Sequence, residues 1–307
     1  MSSSEQVHSI RPRRSALYMP GSNARALEKA KGLDVDVLLL DLEDAVAPDA
    51  KEMARAQVCE AVAGGGYGHR ELVIRINGMK TPWGSEDLKA AVAAKPDAVL
   101  LPKVESLADI KPVADYLAEQ GADGVRIWAM LETPGAILNA SEIAAAAKDP
   151  HNRLDVFIIG TNDLSKESGA KILPGRAALM PWLMTFLATA RVGGADILDG
   201  VYNNFSDLEG FADECKQGAD MGLDGKTLIH PKQLDACNTA FAPSQADVEW
   251  AKKMIAAFEL PENQDKGALQ VMVRWLSAAC RYGPQNRCHC RSDRTARGCL
   301  DLNEAHV

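Results

Sequence analysis

The sequence predicts an α/β protein whose eight parallel strands and intervening helices close into a (β/α)8 TIM barrel, followed by a C-terminal helical lid extension. Three observations carry this. Short runs rich in Val, Ile and Leu, each bounded by Gly, Pro or Asp, recur eight times, as strands buried on both faces do. Ala-rich stretches with Ser or Asp near several of their starts alternate with them, as capped helices would. The alternation fills about 240 residues, the size of such a barrel, and no Gly-rich dinucleotide fingerprint follows the first strand to favour a doubly wound sheet.

In chain order, residues 1–14 form a polar, Arg-rich N-terminal segment, and the barrel spans 15–242. Strands are predicted over 15–19, 35–42, 71–76, 98–103, 126–131, 155–159, 195–199 and 225–229. Helices are predicted over 22–30, 49–63, 106–119, 136–147, 177–192 and 206–218. From Pro243 the texture changes: residues 243–267 hold one amphipathic helix, over 245–258, and a linker. Residues 268–307 form an atypical tail. The last 45 residues carry four of the seven cysteines and seven Lys and Arg against four acids. That net +3 leaves −11 on the rest of a chain whose total is −8, so the tail is foreign to the body.

Composition excludes several classes. Apolar residues make up 47% and charged residues 25%, ordinary values for a soluble protein. A net charge of −8 without a basic face argues against a nucleic-acid partner. No apolar run approaches membrane-spanning length, so no membrane association is expected. The Met-Ser-Ser-Ser start has no apolar signal core, and Cys59, Cys215 and Cys237 lack disulfide or ligand spacing. A cytoplasmic, thiol-reduced protein follows.

In a barrel, groups that end the strands build the site. The fifth predicted strand delivers one carboxylate, Glu132, directly before a Pro-Gly helix start, where it either caps that helix or faces the barrel mouth. Other strands decide between these. The second ends in Asp41, Glu43 and Asp44; the third contains Arg75; the fourth ends in Lys103; the sixth runs into Asp163; the seventh ends in Asp199; the eighth reaches His230. Structural pairing, for instance of Lys103 with Glu43 or Asp44, accounts for some of these but not for all. Glu132 and Asp163 on adjacent strands suit one hard divalent cation such as Mg2+, whose other positions go to water and substrate oxygens. Arg75 would hold a carboxylate of the same ligand, and metal and Arg together would stabilise an enolate or alkoxide developing on a 2-oxo acid.

Seven motifs in order resemble the aldolase/citrate lyase (citrate lyase beta-subunit) family. They are Arg13-Arg14-Ser15-Ala16-Leu17-Tyr18-Met19-Pro20-Gly21, Leu40-Asp41-Leu42-Glu43-Asp44-Ala45-Val46, Val73-Ile74-Arg75-Ile76-Asn77, Met130-Leu131-Glu132-Thr133-Pro134, Gly160-Thr161-Asn162-Asp163-Leu164, Leu198-Asp199-Gly200-Val201-Tyr202 and Asp224-Gly225-Lys226-Thr227-Leu228-Ile229-His230-Pro231. The resemblance implies a trimeric, or trimer-based, Mg2+-dependent barrel acting on CoA thioesters. The reaction it implies is carbon–carbon cleavage or condensation of a 3-hydroxyacyl-CoA such as malyl-CoA or citramalyl-CoA, giving an acyl-CoA and a 2-oxo acid. Its alternative is malyl-CoA thioester hydrolysis. By position Arg75 would bind the substrate carboxylate, and Glu132 and Asp163 would hold Mg2+. Glu43 and Asp44 would bond the metal's waters or the substrate. Arg14 and Lys103 would contact the CoA or the rim.

The tail departs from the family pattern. After Gly267 the family continues with a lid bearing Asp-Gly-x-Met, whose Asp enters a neighbouring subunit's site. Here the chain reads Ala268-Leu269-Gln270-Val271-Met272-Val273-Arg274-Trp275, with no such Asp. Loss of one nucleotide from codons for Asp-Gly-Glu-Met-Val yields Met-Val-Arg-Trp, so a frameshift accounts for the Cys- and Arg-rich end. Cys288, His289, Cys290 and Cys299 lack the paired spacing of a zinc site. The tail is therefore expected to pack poorly and oxidise readily, and turnover to be impaired, leaving at the limit a CoA-ester or oxo-acid binding protein.

Overall fold

Strand residues alternate between two faces, and here that alternation sorts side chains between a barrel interior and a shell beneath the helices. The computed structural model describes residues 11–261, 268–271 and 274–277. Eight parallel strands close in sequence order: β1 (Ser15–Pro20), β2 (Val37–Asp41), β3 (Glu71–Arg75), β4 (Ala98–Leu101), β5 (Arg126–Leu131), β6 (Leu154–Ile159), β7 (Asp196–Asp199) and β8 (Gly225–Leu228). The helices are α1 (Ala24–Ala30), α2 (Lys51–Gly64), α3 (Gly84–Ala94), α4 (Leu107–Glu119), α5 (Pro134–Leu138), α6 (Ala140–Lys148), α7 (Thr161–Ser168), α8 (Met180–Gly193), α9 (Leu208–Met221) and α10 (Leu234–Ala240). This is the predicted (β/α)8 barrel.

Inside it pack Ala16, Val37, Leu39, Val73, Leu100, Trp128, Met130, Ile158 and Leu198. Their strand neighbours, among them Leu17, Leu38, Leu40, Ile74, Val99, Phe157 and Ile197, face outward under the helices. Both sets are buried, which is why the strands read as unbroken apolar runs.

The N-terminal end of the barrel is plugged by Arg13. Its guanidinium donates to Glu71 (2.7 and 2.8 Å), Asp196 (2.9 Å) and Asp155 (3.1 Å) and lies 5.2 Å from the Trp128 ring centroid. Closure occurs beside it. The Lys226 N–H donates to the Arg14 carbonyl (3.0 Å), and a Cβ at Gly225 would sit 1.9 Å from the Arg13 carbonyl oxygen, so only glycine admits this approach.

Four differences from the predicted elements have local causes. The helix expected over 136–147 divides at Asn139, whose side chain donates to the Glu105 carbonyl (3.0 Å) while its own N–H ends α5 on Gly135. α7 was not predicted, because Thr-Asn-Asp-Leu-Ser-Lys-Glu-Ser shows no apolar stripe. α3 starts on Gly84, with no side-chain cap to announce it, and α10 is only seven residues long.

Arg13–Phe241 forms one compact unit. In the other, α11 (Gln245–Glu259) starts at Ser244, whose hydroxyl accepts from the Asp247 N–H (3.1 Å). β9 (Ala268–Val271) and β10 (Arg274–Ser277) pair as an antiparallel hairpin, Trp275 opposite Gln270. The expected frameshifted end beyond 277, with its cysteines, lies outside the described residues. Among the described residues no helix is long and apolar enough to cross a membrane.

Candidate active site

The site starts from a register. Asp41 and Arg75, the last residues of β2 and β3, are directly opposed and both point inward. Arg75 Nε and Nη2 donate to the two Asp41 oxygens at 2.6 Å each, a bidentate pair that fixes the guanidinium plane. The Asp41 carboxylate also accepts from the N–H groups of Glu43 (2.8 Å) and Ala45 (3.0 Å), which turns the chain sharply after β2 and sets Glu43 over the mouth. Buried Lys51 donates to the carbonyls of Leu42 (2.8 Å) and Glu43 (2.7 Å) and locks that turn from behind. The Tyr18 ring lies beneath the guanidinium, 4.8 Å from Cζ to centroid, and its hydroxyl, pushed up in pKa by burial, donates to Met130 Sδ (3.8 Å).

β5 brings Glu132 to the same mouth, where it is only 2% exposed. Oε1 accepts the Lys103 backbone N–H (2.8 Å). On the other side Gly160 leaves it room: a Cβ there would lie 2.4 Å from both Cβ and Oε2 of Glu132. Asp163 stands in the first turn of α7, where the helix N-terminus favours a carboxylate. Lys103 Nζ reaches it at 3.2 Å and Glu167, one turn on, at 3.5 Å.

The electrostatics show an excess of negative charge. Burial, with Glu43 and Asp163 adding to it, pushes the Glu132 carboxyl up to about 8, against the Lys103 N–H and Arg75. Burial, with Asp44, Asp41 and Asp163 adding to it, pushes Glu43 up to about 7, against Arg75. Arg75 resists the burial that would lower it and stays charged through Asp41, Tyr18 and Glu43. Glu43 Oε2 lies 2.9 Å from Arg75 Nη1, yet it is buried without an aligned hydrogen bond. A cluster of hard carboxylate oxygens that includes the raised Glu132 and Glu43 and one unsatisfied buried oxygen is chemically suited to a hard divalent cation. Among the described residues no three His, Cys, Asp or Glu converge as a closed cage, so such a cation would keep solvent or substrate oxygens.

Glu132, Asp163, Glu43, Arg75 and Lys103 therefore come together at the C-terminal ends of β2 to β6. Asp44 stands at the edge, 69% exposed, 3.2 Å from Arg75 Nη1. Arg14 does not join them. It precedes β1 at the opposite end of the barrel, where its guanidinium and backbone N–H are held by Asp36 at 2.8 to 2.9 Å. The expected pairing of Lys103 with Glu43 or Asp44 gives way to Asp163 and Glu167, because Lys103 faces α7. Asp199 also leaves the rim. It points outward and is fully buried with Arg176 (2.7 Å) and Lys226 (2.9 Å), beside Glu214 of α9.

Sequence reasoning passed over Tyr18, Lys51, Glu167 and Gly160, and did not separate Asp41 from the two acids after it. Parity excludes only Asp44, because Glu43 shares with Asp41 the inward parity of Val37 and Leu39; the end of β2 at Asp41 is what separates the two.

Residues 14–231, which contain all eight strands and every rim carboxylate, match the family described as HpcH/HpaI aldolase/citrate lyase. A "(3S)-malyl-CoA thioesterase" of Cereibacter sphaeroides is 49% identical over 265 residues, covering 86% of this chain and 90% of that one. A "Citrate lyase subunit beta" of Haemophilus influenzae is 34% identical over 272 residues, covering 87% and 92%. Among solved structures, CitE from Mycobacterium tuberculosis in complex with magnesium, acetoacetate and coenzyme A is similar with a TM-score of 0.70 at 26% identity, over 94% of this chain and 99% of that one. Barrel, rim and relatives agree over the same stretch of residues, and the chain belongs to the HpcH/HpaI aldolase/citrate lyase family.

Proposed function

We propose that this chain acts on the CoA thioester of a short hydroxy dicarboxylic acid, with malyl-CoA the first candidate, and that its reaction is thioester hydrolysis. Carbon–carbon cleavage, which the sequence favours through the rim chemistry, is the second reading. The observation that carries the proposal is buried Glu132 with half-buried Glu43 and Asp163 gathered at the mouth beside Arg75. The choice of hydrolysis is supported by relatives: thioesterases at 47% to 49% identity against citrate lyase beta subunits at 31% to 34%.

Glu132 and Asp163 would hold Mg2+, as the magnesium-containing structural neighbours suggest by analogy. Bound there, the ion supplies Lewis-acid polarisation of a substrate oxygen. The remaining work falls to the chain itself. Arg75, fixed from behind by Asp41, turns Nη1 toward the mouth, where a substrate carboxylate would replace Glu43 and Asp44 as its partner. Glu43, with a carboxyl near neutrality, is placed to take or return a proton at Oε2. Its backbone, held by Asp41 and Lys51, keeps that oxygen aimed. A cytoplasmic homotrimer, or an assembly of trimers, is the expected form of the protein.

The test is direct. Purified protein given malyl-CoA and Mg2+ should release free CoA and malate without glyoxylate. Acetyl-CoA and glyoxylate would establish the lyase reading instead. Binding without products would identify the altered C-terminus as limiting, and a chain with the lid frame restored should then gain about 10²–10⁴-fold in rate. Neither binding nor products from either chain would overturn the proposal.

A further inference from the structure

One residue touches three of the rim acids, and it does so with two unlike groups. Lys103 follows β4 with a left-handed backbone, φ 50°, unusual for a residue with a side chain. This conformation turns its N–H onto Glu132 Oε1 (2.8 Å) and sends its side chain the other way, across the mouth to α7. There the ammonium lies 3.2 Å from Asp163 Oδ1 and 3.5 Å from Glu167 Oε1. Asp163 and Glu167 are four residues apart on one helix and therefore neighbours on its surface. A lysine ammonium is a compact charge on a flexible stem, and moving it between two oxygens it already reaches needs only side-chain rotation. The backbone bond to Glu132 is untouched by that motion.

We propose that Lys103 is a positioning residue that holds the place of a cation at Asp163. Its ammonium neutralises Asp163 while no divalent ion is present and withdraws onto Glu167 when one binds, while its N–H keeps Glu132 aimed throughout. This rests on the reading above that Glu132 and Asp163 hold Mg2+. Asp163 cannot serve ammonium and metal equally, because two cations at one carboxylate repel. Glu167 then has a defined part: it gives the displaced ammonium a partner.

Three variants of the full chain test this: Lys103→Met, which keeps the backbone N–H, Glu167→Gln, and the double substitution. The side chains of Lys103 and Glu167 are 48% and 36% exposed, so folding should survive, with melting curves as the check. The readout is Mg2+ affinity by calorimetry, repeated with Mn2+ by paramagnetic resonance, with no substrate and no turnover involved. Lys103→Met should bind Mg2+ roughly three- to tenfold more tightly, the size expected for one partly screened charge. Glu167→Gln should bind roughly two- to fivefold more weakly, on the same grounds. In the Lys103→Met background Glu167→Gln should have almost no effect, since it acts through the ammonium. Weaker or unchanged binding in Lys103→Met, or an equal effect of Glu167→Gln in both backgrounds, would overturn the proposal. A wild-type chain that binds neither ion would instead sink the metal reading itself, a distinct result.

Discussion

Burial, reinforced by neighbouring carboxylates, holds Glu132 at a pKa of about 8 and Glu43 at about 7 in the chain without bound metal. Both values lie above those of the unfolded chain, so the native state takes up protons there that the unfolded state has already lost. Their stabilising contribution is complete below about pH 4.5 and is lost as pH rises through 7 and 8. The metal-free melting temperature should therefore fall between pH 5 and 8, as followed by circular dichroism. Glu132→Gln should melt higher than wild type at pH 8 while losing Mg2+ binding; a parallel fall in both chains would refute this account. Glu132 was legible because an apolar run ending on one acid is an unusual pattern. Asp41 was not, because three acids in four residues look alike until a strand end decides which faces inward. Arg14 was misplaced for a related reason: a basic residue beside a strand gives no sign of which end of the barrel it serves.

At the scale of elements, Glu132 depends on the join between β6 and α7. Gly160 lies where a Cβ would overlap Glu132, so Gly160→Ala must push the β5 end or the α7 start aside. The expected cost is about 1–3 kcal/mol in denaturant unfolding, with Mg2+ affinity reduced as well, since Glu132 moves. Unchanged affinity would show that the carboxylate tolerates the shift. The strands were legible almost to the residue because burial on both faces leaves apolar runs that few other contexts produce. Helices with a clear stripe, such as α4 and α9, were legible too. α7 was not, since its side chains serve the mouth rather than a helix packing face, and function had erased the stripe.

The whole molecule separates stability from chemistry by end. At the N-terminal end Arg13 pairs with Glu71, Asp155 and Asp196; at the C-terminal end the acids are left in excess. Arg13→Ala should therefore cost about 3 kcal/mol, chiefly by stranding buried Glu71, since Asp155 keeps Arg126, with Mg2+ affinity unchanged in the folded protein. Loss of affinity in step with stability would mean the two ends communicate. The seam at β8 has a consequence for how the chain is made. β1 is among the first elements synthesised, and its partner, with Gly225 seated on the Arg13 carbonyl, is separated from it by some two hundred residues. During translation β1 and the growing last strand must wait as open edges until Gly225 leaves the ribosome, and such edges are where chains pair wrongly. Ring closure is thus a late, long-range event, and ribosomes stalled just before and just after β8 should carry nascent chains of sharply different protease resistance.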